Sequence, residues 1–210
     1  TGGESGIGAA CALRLAEEGA DVVITYHSKK EAANELLGKI QATGREGLTV
    51  QCDVDDEHSV IRLFDEAGKL GTVEWLVNSA GLNMSGKPLA ELDAEQFDKV
   101  VATDLRGPFL TCREFVRRLE GGRGRIVNLS SIHEFAPRAG GADYDAAKGG
   151  LSQLTRTLAL ELAPKGIAVN GVAPGMILTP MNQSVLDNPK MLRAPEGAIP
   201  WGRAGRPVEV

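Results

Sequence analysis

Short β-branched runs alternate with longer segments of helical periodicity along this chain, and that alternation limits the fold more than any other feature. The runs are residues 21–26, 48–52, 73–78, 125–129 and 167–172. Between them Val60, Leu63, Phe64, Ala67 and Leu70 recur at three- and four-residue steps, as do Leu151, Leu154, Leu158 and Leu162. Asp93 and Gln96 form a capping-box pattern ahead of another helix. The runs are apolar on both faces, as strands are when helices cover both sides of a parallel sheet. The predicted fold is α/β, a doubly wound parallel sheet in a single domain over residues 1–210. Residues 176–206, with Pro180, Pro189, Pro195 and Pro200 and little periodicity, are expected to form a lid over a substrate.

Composition removes several function classes. The 210 residues carry a net charge of −5 and no basic block, so neither nucleic acid nor an anionic membrane is an expected partner. No uncharged stretch is long enough to span a bilayer. Cys11, Cys52 and Cys112 are scattered, which supports neither a disulfide framework nor a zinc site, and no metal is expected. No stretch reads as a signal peptide, so the expected location is the cytoplasm.

Thr1-Gly2-Gly3-Glu4-Ser5-Gly6-Ile7-Gly8 leads into a helix expected to reach about Glu18. A Walker loop is excluded because Ala9 follows Gly8, and a nucleophile elbow is excluded because Ile7 stands where glycine is required. A Rossmann-type turn, whose bare backbone and helix N-terminus admit a dinucleotide pyrophosphate, is the favoured reading from its place one helix before the next strand, and a plain glycine-rich helix start is the other. At the end of the next strand a carboxylate would accept from the ribose of NAD. Tyr26-His27-Ser28-Lys29-Lys30 has no acid there, which favours NADP over NAD. Glu4 opposes that preference, and Lys29 and Lys30 read equally well as a solvated helix start.

Both tyrosines, Tyr26 and Tyr144, have a lysine four residues on. On a strand that spacing separates side chains by about 13 Å. Tyr144 instead enters the helix carrying Leu151, so Tyr144 and Lys148 share a helical face. Ser131 follows the strand 125–129, at the edge where open α/β sheets hold ligands. Ketone reduction needs a proton on oxygen, and a free phenol titrates near pH 10, roughly. A neighbouring ammonium favours the phenolate, and a serine hydroxyl can orient the carbonyl.

Residues 1–8, Asp53-Val54, Asn78-Ser79-Ala80-Gly81, Ser130-Ser131, Tyr144 with Lys148, and Pro174-Gly175 with Thr179 occur in the order found in short-chain dehydrogenases/reductases. The chain resembles that family along its whole length. Ser130-Ser131-Ile132-His133-Glu134 and Ala163-Pro164-Lys165-Gly166-Ile167 are similar to the glucose 1-dehydrogenase-like branch.

The resemblance implies Tyr144 as general acid/base, Lys148 as its activator and a ribose ligand, and Ser131 as the carbonyl-orienting donor. It implies a cofactor crevice of Gly2, Ser5, Gly6, Ile7 and Gly8, then Tyr26, His27 and Ser28, with Asp53 and Val54 at the adenine. Asn78, Ala80 and Gly81 would border the cofactor, and Pro174, Gly175, Ile177 and Thr179 the nicotinamide. His133 and Glu134 would touch a polar substrate or brace their own loop as a pair.

Asp104 stands where the family usually has an asparagine of the proton relay. Its charge at about 5 Å and an effective dielectric of about 20 opposes the phenolate by roughly 3 kcal/mol. Family members also have a strand before the point where this chain starts and a strand–helix–strand stretch after its end, so a longer natural chain is expected. The resemblance also implies a homotetramer through the helices containing Asp104 and Lys148.

The expected function is hydride transfer between NADP or NAD and a small alcohol, ketone or sugar. A 3-oxoacyl thioester reductase and a non-catalytic redox sensor are the alternatives.

Overall fold

Each β-branched run becomes a strand: β1 (Val22–Tyr26), β2 (Gly47–Gln51), β3 (Trp75–Asn78), β4 (Gly124–Leu129) and β5 (Ile167–Val172). The structure, a computed structural model, describes residues 1–119, 121, 123–183, 187, 197 and 199–210. Helices α1 (Gly6–Glu17), α2 (Lys30–Ala42), α3 (Glu57–Ala67), α4 (Ala94–Val101), α5 (Gly107–Arg118) and α6 (Ala142–Leu162) fill the intervals. All described pairings are parallel, in two ladders ordered β1-β2 and β3-β4-β5.

Residues 1–3 run between the two ladders and tie them together. The Thr1 nitrogen donates to Val77 O of β3 at 2.7 Å, and Gly3 N donates to Thr25 O of β1 at 3.0 Å. The glycine turn is thereby fixed above the join.

The apolar residues sort into two large clusters. Ala12, Ala16, Ile24, Ala33, Leu36 and Ile40 pack α1 and α2 on β1. Val60, Leu63, Phe64, Leu110, Phe115 and Ile126 pack α3 and α5 on the other ladder. Burial of each of the larger of these side chains, valine, leucine, isoleucine and phenylalanine, contributes about 1.5–3 kcal/mol. The expectation of strands covered on both faces holds for β1, whereas β2 is half-buried from Gly47 to Val50 and exposed at Gln51.

Helix starts follow side-chain chemistry. Asp56 caps α3, accepting from His58 N and Ser59 N at 3.2 and 3.0 Å. Asp93 caps α4 by accepting from Gln96 N at 2.8 Å, but the expected reciprocal half of the box does not form. The Gln96 amide instead donates to Met84 O and Asp143 Oδ2, both at 2.8 Å, because a buried amide finds better partners across the fold than on its own turn.

Between α4 and α5 the helix widens into a π segment, Ala102–Arg106. Pro108 explains it: proline has no N–H to donate to the carbonyl four residues back, which is Asp104's. Gly107 N reaches back five residues to Ala102 O instead. The wider turn carries the fully buried Asp104.

Of the expected lid, residues 184–186, 188–196 and 198 lie outside the described residues. Its two ends are pinned together at an Ile177–Gly205 bridge. Leu178 N donates to Gly205 O at 2.8 Å, and Gly205 N to Met176 O at 2.9 Å.

Candidate active site

The glycine turn is shaped by backbone that cannot carry side chains. Gly2 and Gly6 adopt φ of 58° and 55°, a region costly to other residues. A Cβ on Gly8 would lie 2.2 Å from Gly2 O, and one on Gly2 would lie 2.7 Å from the Ala80 Cα. The Thr1 hydroxyl accepts from Ser79 N and Ala80 N at 3.3 and 3.2 Å, which locks this turn to the one after β3. Ser5 occupies the N-cap of α1 and its side chain makes no capping bond, so its hydroxyl is uncommitted. First-turn N–H groups have no partner within their helix. A bare cradle, an uncommitted hydroxyl and a helix N-terminus together fit a dinucleotide pyrophosphate.

Thr179 comes to the same place from the far end of the chain. A Cβ on Gly6 would sit 3.2 Å from Thr179 Cγ2, so the base of the lid rests on the glycine turn. Pro174 is drawn to Ser131, since its carbonyl accepts from Ile132 N at 3.0 Å.

Ser131 lies just past β4, buried, as the N-cap of a short 3₁₀ turn. Its Oγ accepts from His133 N at 3.2 Å, which leaves its own hydrogen free to donate. Neighbouring Ser130 donates to Lys148 O at 3.3 Å and ties β4 to α6.

Tyr144 and Lys148 lie one turn apart on α6, both buried, with Nζ 5.5 Å from the phenol ring centroid. The ammonium donates to Leu129 O at 3.2 Å and pairs with Asp104 Oδ2 at 3.1 Å. Asp104 Oδ1 accepts from Leu82 N at 2.8 Å. Burial pushes the Asp104 carboxyl above its ordinary range, and Lys148 pulls it part of the way back. The ring of Tyr144 also meets the His133 ring edge-on, with centroids 5.8 Å apart.

Not every candidate faces the crevice. The Tyr26 ring is buried in the α1–α2 cluster, and Val54 is spent on the core beside Gly107. Asn78 is buried too. It donates to Asn128 Oδ1 at 2.9 Å and accepts from Thr111 Oγ1 at 2.7 Å, bracing β3 against β4 and α5. His133 does not pair with Glu134: its Nδ1 stands 3.1 Å from Asp145 Oδ1. At the opposite end of the crevice His27 and Asp53 are exposed and 3.6 Å apart, while Glu4 Oε2 in the glycine turn is buried without a hydrogen-bond partner.

Comparison with known proteins identifies the family. Residues 1–190 match the short chain dehydrogenase family. The chain belongs to the short-chain dehydrogenases/reductases. It is similar to 3β-hydroxysteroid dehydrogenase 1 of Eggerthella lenta, 39% identical with 100% of this chain and 81% of the relative covered. It is also similar to a glucose 1-dehydrogenase of Gluconobacter oxydans, 40% identical over 100% of this chain and 80% of the relative. A solved actinorhodin polyketide ketoreductase with NADPH superposes with a TM-score of 0.93 at 33% identity, covering 99% of this chain and 84% of that one. As a short-chain dehydrogenase/reductase the protein is an NAD(P)-dependent oxidoreductase of CH–OH and C=O groups.

Around this dehydrogenase site the structure adds residues that the sequence pattern did not single out. Asp143 accepts from Gln96 Nε2 and from Tyr144 N, each at 2.8 Å, and so fixes the start of α6 against α4. Asp145 faces His133 and also accepts from Arg138 N at 2.8 Å. Two acids flanking Tyr144 in a first helical turn were the available signal.

Proposed function

We propose that Tyr144 is the general acid/base of a dehydrogenase acting on a small polar alcohol, sugar or ketone. The observation that carries the reading is the buried placement of Tyr144 and Lys148 on one face of α6, joined to the Ser130–Ser131 segment by the Ser130–Lys148 hydrogen bond and by the His133 ring against Tyr144.

In reduction, the Tyr144 hydroxyl gives its proton to the carbonyl oxygen, and in oxidation the phenolate takes it back. Lys148 stabilises the phenolate, because an ammonium in a water-poor site favours the charged form of a neighbouring acid. Ser131 donates to the same oxygen and holds the reacting carbon in place. A nicotinamide dinucleotide, when bound, supplies or accepts the hydride. Gly2, Ser5, Gly6, Ile7 and Gly8 would hold its pyrophosphate, Asp53 its adenine, Ala80, Gly81 and Lys148 its central portion, and Thr179 its carboxamide end. His133, oriented by Asp145, and Glu134 would meet a hydroxyl of the substrate.

NADP is the preferred cofactor on this reading, since the segment after β1 offers exposed His27, Ser28, Lys29 and Lys30 and no carboxylate. Binding titrations with NADPH and NADH check it: an NADH preference of about tenfold, roughly 1.4 kcal/mol, would identify Glu4 as dominant and reverse the assignment. Among the described residues no helix is long and apolar enough to cross a membrane. A cytoplasmic homotetramer fits the exposed Phe97, Phe109 and Leu160 on α4, α5 and α6, and light scattering of the purified protein checks its size.

The function itself is tested by following NADP+ reduction with glucose-type sugars and simple alcohols, and NADPH consumption with simple ketones and an acetoacetyl thioester. Turnover with sugars, alcohols or ketones supports the proposal. Exclusive use of the thioester assigns the acyl reductase instead, and tight NADPH binding without turnover on any substrate assigns a sensor.

A further inference from the structure

The Lys148 ammonium has three hydrogens and more than one claimant. Leu129 O takes one at 3.2 Å, and the Asp104 carboxylate lies 3.1 Å away, while the Tyr144 ring centroid is 5.5 Å off. Asp104 is fully buried. Its Oδ2 has no aligned hydrogen-bond donor and is held by the ammonium charge alone, while Oδ1 is fixed by the Leu82 amide. The site is tight as well: a Cβ on Gly81 would lie 3.0 Å from that Oδ2 and 3.5 Å from Nζ. The carboxylate therefore cannot swing away to water.

We propose that Asp104 is a positioning residue that divides the Lys148 ammonium between itself and Tyr144, giving this chain a more alkaline proton-transfer set-point than an uncharged side chain at 104 would. The proposal deepens the assignment of Tyr144 and rests on it. A buried carboxylate within contact distance cancels most of the field that the ammonium would otherwise direct at the phenol. The charged groups acting on Asp104 are Lys148 and, in the opposite sense, Asp143 of α6, whose own oxygens are taken up by Gln96 and the Tyr144 amide. Those facing Tyr144 are Lys148 and the His133 ring, itself beside Asp145. The π segment brings Asp104 into this group, because it inserts one extra residue per turn at that point of the helix.

The chain has two tyrosines, so one substitution isolates the relevant phenol. In a Tyr26→Phe background, the phenolate absorbance of Tyr144 is titrated in the cofactor-free protein with Asp104 and with Asp104→Asn. The expected result is a midpoint lower by about one to two pH units in Asp104→Asn. If Asp104→Asn fails to melt cooperatively, Asp104→Ser carries the same expectation. A midpoint within about 0.3 unit of the parent, in either folded variant, overturns the proposal. The pH profile of kcat/KM for alcohol oxidation is measured on the same proteins and separates the two readings. If the phenolate midpoint moves and the profile moves with it, both stand. If the midpoint moves and the profile does not, the division of Lys148 stands and the assignment of Tyr144 as acid/base falls.

Discussion

At the α6 end of the crevice a lysine and a carboxylate meet at 3.1 Å with side chains 6% and 0% exposed. At the β1–β2 end a histidine and a carboxylate stand 3.6 Å apart at 69% and 40% exposed. Both are ion pairs by geometry, yet burial gives them different physical weight. Water screens the exposed pair, and such pairs are worth about 0–1 kcal/mol. The buried pair has lost its hydration, so each partner depends on the other, and removing one leaves an uncompensated charge. On the proposed function, the difference separates two kinds of site: proton chemistry would sit at the dry end and adjustable cofactor recognition at the wet one.

The strongest way to break that contrast is Lys148→Met. It should abolish turnover and also lower unfolding stability by about 3–5 kcal/mol, because buried Asp104 is left unpaired. Denaturant titration checks this, and a variant as stable as the parent would mean that Asp104 takes up a proton instead of staying charged. Gly8→Ala should come next. Its Cβ would meet the Gly2 carbonyl at 2.2 Å, so the turn must deform. Dinucleotide affinity should fall at least about tenfold, roughly 1.4 kcal/mol, in a fluorescence titration.

A subtler effect concerns pH. Burial raises the Asp104 carboxyl in the folded state, so the folded chain keeps that proton to higher pH than the unfolded chain. The associated stability is present below the unfolded value and is lost as pH rises through the folded one. The stability of the parent relative to Asp104→Asn should therefore decline as pH rises from about 4, and chemical denaturation at several pH values reads it. The opposite slope would mean that attraction to Lys148 outweighs burial. Smallest of all, His27→Ala should change stability by less than about 0.5 kcal/mol, and salt should erase even that.

Much of this architecture was legible before any coordinates. Strand positions, the helix carrying Tyr144, and the glycine turn follow from local periodicity and turn chemistry. Side-chain direction did not follow so easily. The family resemblance names segments rather than side-chain directions, and in strands covered on both faces alternation does not supply them, so Tyr26 and Asn78 group with the crevice residues although both point into packed interior. Long-range partners were also hidden. Asp145 displaces Glu134 as the partner of His133, and Asp104 meets Lys148 through a π turn caused by Pro108, a contact no spacing rule encodes. The unpaired Glu4 oxygen is of the same kind, since nothing in its neighbours reveals that it would be buried.

Tyr144→Phe tests the central claim most directly, with dinucleotide binding and turnover measured on the same preparation. Cofactor affinity should stay within about threefold of the parent while kcat falls by about 10²–10⁴-fold. Turnover that survives the loss of the phenolic hydroxyl would contradict the account.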